Sequence, residues 1–144
     1  MSNLHVICKL GESEYAFAAD EVFQLENYTG STPVPGASSH ILGLIQVRQK
    51  IIPVLNLHTR FGMPTIEPSS ESRIVVVKQG DRLVGILVDS AREVQTIAPD
   101  LFREPPEVVA KQSAGYVKSV VPLKDRIIML LDTPKVIGQE ISHV

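Results

Sequence analysis

A single cysteine, Cys8, excludes an intramolecular disulfide in this chain of 144 residues. That shortage fits a reducing compartment. Cys8 lies in the apolar run Leu4-His5-Val6-Ile7-Cys8 and reads as a small buried hydrophobe. Tryptophan is absent, and four Phe and three Tyr are too few for the stacking platform of a single-strand nucleic-acid binder. A basic excess is missing too, since 14 Lys and Arg stand against 16 Asp and Glu and the pI is ≈ 6.1. No apolar run approaches the roughly 20 residues of a spanning helix, and no basic segment leads into a signal-type stretch. The expectation is a soluble, cytoplasmic protein without membrane insertion.

Clustered chemistry is lacking as well. His5, His40, His58 and His143 are scattered, without zinc-ligand spacing, and read as surface or half-buried side chains. Ser38-Ser39-His40 does not make a triad by adjacency, and no Gly-x-Ser-x-Gly elbow occurs; Ser38 or Ser39 reads as the cap of a short following helix. No glycine-rich loop opens a helix, so a phosphate cradle is unsupported. Asp89 and Asp132 each close an apolar strand, where an acid turns the chain or caps a helix. Catalytic, cofactor and metal residues are therefore all expected to be none.

What the chain does have is strands. Leu4 to Leu10 and Glu14 to Ala18 flank a short turn, and Val22 to Glu26 follows. The stretch Val34 to Gly62 holds a Pro-Gly turn, a short helix signal and the strand Gly43 to Val47. A charged tip then leads to a second strand carrying Pro53. A proline there implies an edge or a bulge, because it cannot donate to the ladder. Asn56 can cap a short helix ended by Gly62. Residues 64–72, rich in Pro, Ser and Glu, read as a linker. Beyond it come Arg73 to Lys78, Arg82 to Val88 and Ala91 to Ile97. A long loop precedes Tyr116 to Leu123 and Arg126 to Leu131, and Asp132-Thr133-Pro134 starts a helix that Gly138 ends.

Three strands, Lys50 to Asn56, Arg82 to Asp89 and Arg126 to Asp132, share a basic residue, an apolar run and a closing Asp or Asn. One account is that buried second hairpin strands simply look alike. The other is a pair of related small barrels, about 1–66 and 73–144 around the 64–72 linker, with exchange of terminal strands between them as an option.

In order and spacing, several segments together resemble the CheW family of bacterial chemosensory adaptors. They are Thr32 to Ala37, Ile41 to Ile45, Val47-Arg48, Ile51 to Leu57, Val84 to Asp89, Glu93-Val94 and Ile127 to Asp132. The resemblance spans essentially the whole chain. It implies a mainly all-β fold of two five-stranded SH3-like barrels on a shared core, with short helices including one at the C-terminus. It also implies a non-catalytic scaffold that couples the cytoplasmic tips of methyl-accepting chemoreceptors to the regulatory domain of a CheA-type histidine kinase. Other CheW-like domains are a further class of partner, and recruitment to arrays at the inner face of the membrane follows. Carried over residue by residue, Arg48 matches the family arginine, and Val22, Gln24 and Leu25 match the strand contributing to the receptor-facing groove. Alternation places Val22 and Gln24 on one face unless a bulge intervenes. Barrel core is the bland reading for Val22 and Leu25, and a solvated hairpin-tip charge for Arg48.

The chain departs from the family pattern at Gln46-Val47-Arg48-Gln49, Asn56 and Ser119. Gln49 at a positive φ would cost roughly 1–2 kcal/mol, or the turn has changed. Alternatives are an adaptor that binds receptor but not kinase, an oligonucleotide-binding barrel, and a small enzyme with an unrecognised site.

Overall fold

The computed structural model describes residues 3–65 and 67–138, so His143 lies outside the described residues. Within these residues ten strands dominate. They are β1 (Leu4–Leu10), β2 (Ser13–Ala18), β3 (Val22–Asn27), β4 (Ile41–Val47), β5 (Lys50–Asn56), β6 (Arg73–Gln79), β7 (Arg82–Val88), β8 (Ser90–Thr96), β9 (Val117–Leu123) and β10 (Arg126–Leu131). The helices are short: α1 (Leu57–Arg60), α2 (Glu107–Gln112) and α3 (Thr133–Ile137). The strands make two five-stranded sheets, β8-β1-β2-β10-β9 and β3-β6-β7-β5-β4.

Both sheets have the same plan. A hairpin (β1-β2 or β6-β7) lies parallel to the second strand of another hairpin (β9-β10 or β4-β5), and a single edge strand (β8 or β3) completes the set. Each half of the chain lends strands to both sheets. After β2 the chain crosses over to place β3 against β6, and after β7 it crosses back to place β8 against β1. The likeness of Lys50–Asn56 to Arg126–Asp132 therefore marks equivalent positions, β5 and β10. The third similar strand, β7, is the parallel neighbour of β5. Asn56 Oδ1 accepts from His58 N at the start of α1, and Asp132 Oδ1 accepts from Lys135 N at the start of α3, so the closing Asn and Asp are N-caps.

Three apolar clusters follow from this plan. One joins the sheets and includes Val6, Cys8, Leu10, Phe17, Val75, Val77 and Ile86. A second, with Ile7, Ala16, Val121 and Ile128, fills the curl of the first sheet. The third, with Ile52, Val54, Ile74 and Val76, fills the second. Central strands are covered on both faces, which is why β6 and β7 read as unbroken apolar runs. Each large apolar side chain so buried contributes about 1.5–3 kcal/mol. At Gly85 on β7 a Cβ would stand 2.7 Å from Ile74 Cγ2, so the third cluster closes only over a glycine.

Several sequence expectations are corrected. Pro53 lies on β5, an interior strand, not an edge. It is tolerated because the ladder to β7 covers only Val54 to Asn56, leaving Pro53 beyond the last pair. No helix follows Ser38; its Oγ accepts from His40 N at 3.2 Å in a turn that runs straight into β4. His5 and His58 are buried, neither at the surface nor half-buried. The long loop before β9 contains α2, which sequence reading left unassigned.

Candidate functional site

The seam between the sheets is edged by β3 and β8, and each carries a bulge near its start. On β3, Val22 registers with Val77 and Gln24 with Val76, so Phe23 is the extra residue. Val22 and Leu25 consequently share the face of Val77 and Val75, which belongs to the inter-sheet cluster, while Gln24 turns to the face of Val76. The shared face expected for Val22 and Gln24 is thus broken by the bulge. Gln24 Nε2 donates to Glu26 Oε2. On β8, Arg92 is the extra residue between Glu93, paired with Ile7, and Ala91, paired with Cys8.

Apolar residues reach solvent where the inter-sheet cluster meets these edges. Val22 is half-buried against the cluster, Leu25 is 39% exposed, and Val94, opposite Val6 on β8, is 58% exposed. Leu4, two residues before Val6 on the same face of β1, is also exposed. Sequence reading missed Leu4 and Val94. The alternation of Glu93-Val94-Gln95 about a buried partner strand was the available signal.

Arg48 sits elsewhere. It forms the β4–β5 turn with Gln49, at φ 48° and 70°, the paired left-handed conformation of a two-residue type I′ hairpin. Its guanidinium lies 5.1 Å from the centre of the Phe23 ring. Phe23 packs on the cluster inside the second sheet. Three of the four candidate residues therefore lie on β3 but on its two faces, Val22 and Leu25 toward the inter-sheet cluster and Gln24 away from it, while Arg48 reaches that strand from the β4–β5 turn only through Phe23. Ser119 follows the extra residue Lys118 of a bulge in β9 just as Gly43 follows the extra residue Leu42 of a bulge in β4. Gly43 has φ 155° and abuts Thr32 O, whereas Ser119 keeps a negative φ.

A second kind of surface lies just past the hairpin turns. Ile51 on β5 is 71% exposed and Ile127 on β10 is 67% exposed, and the two occupy equivalent positions in the two sheets. Ile51 stands between open clefts of about 620 Å³ and 410 Å³. The first is lined also by Glu26, Asn27, Thr32 and Leu44, the second by Pro53, Asp81 and Leu83. A single exposed isoleucine is ordinary at a protein surface; what sets these two apart is their equivalent placement in the two sheets.

Nothing in these surfaces assembles nucleophile, base and electrophile. Cys8 is buried, and that burial, with the nearby Asp89 carboxylate, pushes its thiol far up from the ordinary range. No cluster of His, Cys, Asp or Glu suited to a metal ion occurs among the described residues. No helix among them is long and apolar enough to cross a membrane.

Comparison with known proteins agrees with this geometry. The family model described as CheW-like domain matches residues 5–140. The chain is 31% identical to the chemotaxis protein CheW of Thermotoga maritima, covering 91% of this chain and 85% of that protein. It is 29% identical to the chemotaxis protein CheW of Bacillus subtilis, covering 96% and 88%. The crystal structure of the scaffolding protein TtCheW from Thermoanaerobacter tengcongensis superposes with a TM-score of 0.86 at 28% identity, covering 96% of this chain and 89% of that one. With two five-stranded sheets of matching plan, the chain belongs to the CheW-like domain family of chemotaxis adaptors, which are scaffolds and not enzymes.

Proposed function

We propose that this chain couples methyl-accepting chemoreceptor tips to a CheA-type histidine kinase in the cytoplasm, by holding both in fixed register. The observation that carries this reading is the presence of two separate apolar surfaces on one rigid frame. The seam rim of Val22, Leu25, Leu4 and Val94 offers apolar side chains from both edge strands, which suits the apolar side of a helical hairpin. Ile51 and Ile127, one on each sheet, suit barrel-to-barrel contacts with the kinase's own CheW-like regulatory domain or with further CheW-like domains. No chemistry is required of the adaptor; kinase activity follows receptor state through the positions it fixes.

Calorimetry tests the proposal. Saturable one-to-one binding is expected both for the regulatory domain of the kinase from the same genome and for a receptor-tip fragment. A charge at Leu25 (Leu25→Glu) should weaken the receptor tip at least tenfold, about 1.4 kcal/mol, and leave the kinase domain alone. Binding of neither partner by folded protein would defeat the assignment, and binding of the tip without the kinase would reduce it to a receptor-only adaptor.

A further inference from the structure

The two strands that wall the seam begin at equivalent crossovers, and an acid stands at each. Glu21 immediately precedes β3, and Asp89 immediately precedes β8. Glu21 Oε1 accepts a hydrogen bond from Thr133 Oγ1 at 2.9 Å, and Thr133 is buried at the start of α3. Asp89 Oδ1 lies 3.1 Å from Nε2 of His58, which is buried in α1. The alignment there is poor for a hydrogen bond, so the contact is mainly electrostatic. Asp89 Oδ2 also accepts from Gly11 N at 2.7 Å, and Asp89 N donates to Lys9 O at 3.0 Å. Those two bonds fix the acid to the β1–β2 hairpin of the sheet that β8 enters.

The two helices are themselves joined. Arg60 of α1 donates from Nη2 to the carbonyl of Ile137, the last residue of α3, at 2.8 Å. That bond caps a helix C-terminus with a cation, a favourable arrangement for both charge and hydrogen bonding. The contacts therefore form an unbroken path: Glu21, Thr133, α3, Ile137, Arg60, α1, His58, Asp89. It begins at the first residue before one wall of the seam and ends at the first residue before the other.

We infer that this path is a strap that sets the separation of β3 and β8, with Glu21, Thr133, Arg60, His58 and Asp89 as positioning residues. None of them belongs to the exposed rim formed by Leu25, Val94 and Leu4. The strap acts on the seam by fixing where its walls start. Cutting a link frees one wall to shift against the inter-sheet cluster without removing any group from the rim. The effect on receptor binding rests on the function proposed above, whereas the effect on the separation does not.

The test places spin labels at Leu25→Cys and Val94→Cys; Cys8 is buried and leaves the introduced thiols as the reactive ones. Distances are measured in the intact chain and in chains also carrying Thr133→Val or Asp89→Asn. One narrow distance is expected in the parent and a shifted or broadened distribution in each cut strap. In unlabelled chains each cut should weaken the receptor tip at least threefold and change kinase-domain binding less than twofold. The double variant should lose less than the product of the single losses, because either cut already opens the path. Thr133→Val conserves volume and carries the measurement if Asp89→Asn does not fold. An unchanged distance distribution in folded Thr133→Val overturns the strap. Should the parent fail to bind the tip, the functional reading falls while the distances still decide the strap.

Discussion

At the residue scale, the β4–β5 turn shows how a single side chain records a compromise. Arg48 and Gln49 both have positive φ, although neither is a glycine, asparagine or aspartate. The alternative that Gln49 had changed the turn is thereby removed; the turn is kept and the strain accepted. Arg48 recovers part of the cost by stacking on Phe23, an interaction worth about 0.5–1 kcal/mol at an exposed site. Gln49→Gly should therefore raise the stability of the protein by about 1 kcal/mol, seen as a higher urea midpoint at unchanged slope. A lower midpoint would mean that Gln49 holds the turn through contacts of its own. This position was legible in the sequence because a two-residue turn is decided locally. The environments of His58 and Asp89 were not legible, because the chain brings them together only through the parallel pairing of β5 with β7.

At the scale of elements, the first sheet is held in its curl by charge as well as by apolar packing. Arg126 on β10 makes a two-pronged contact with Glu14 on β2, at 3.1 and 3.0 Å, and reaches Glu93 on β8 at 3.0 Å. Strands β10 and β8 are not neighbours in the sheet order, so the Arg126–Glu93 contact forms only when the sheet bends over Ile7 and Ile128. The amide of Gln95, and then Arg126, hold the Glu93 carboxyl below the usual carboxylate range. A carboxyl lowered in the folded state stabilises above its unfolded value, roughly 4.3, and that contribution is lost as pH falls through the lower folded value. The melting temperature should therefore drop as pH is taken from about 5 to about 3, with Glu93→Gln flattening part of that drop. Added salt should shrink the difference, since both side chains of the pair are partly open to solvent. Parallel curves for the two proteins, in low salt, would remove Glu93 from the account. Hairpins and the caps at Asn56 and Asp132 were readable because turn and capping residues act within a few positions. The β3 bulge was not, since Val-Phe-Gln-Leu contains no glycine, and α2 was hidden behind Pro105-Pro106.

At the scale of the molecule, the repeat explains both why the sequence hinted at two related units and why the halves of the chain do not match the sheets. The similar strands β5 and β10 were visible because burial on both faces demands the same run of side chains. The crossing of β3 and β8 left no local mark, because it depends on which hairpin each edge strand finds in space. The same repeat places Ile51 and Ile127 at equivalent sites, one per sheet, and so gives the adaptor two ends of like chemistry. Extended assembly requires two such contacts per protein, while a simple pair requires one. Exposed positions tolerate substitution within about 0.5 kcal/mol of stability, so Ile51→Glu and Ile127→Glu should both fold with near-parental urea midpoints. One of them should weaken one-to-one binding of the kinase regulatory domain at least tenfold. The other should spare that pair yet abolish larger kinase–adaptor assemblies in sedimentation. If both variants kept one-to-one binding and assembly intact, the two ends would not be the docking sites, and the kinase contact would have to be sought on other surfaces.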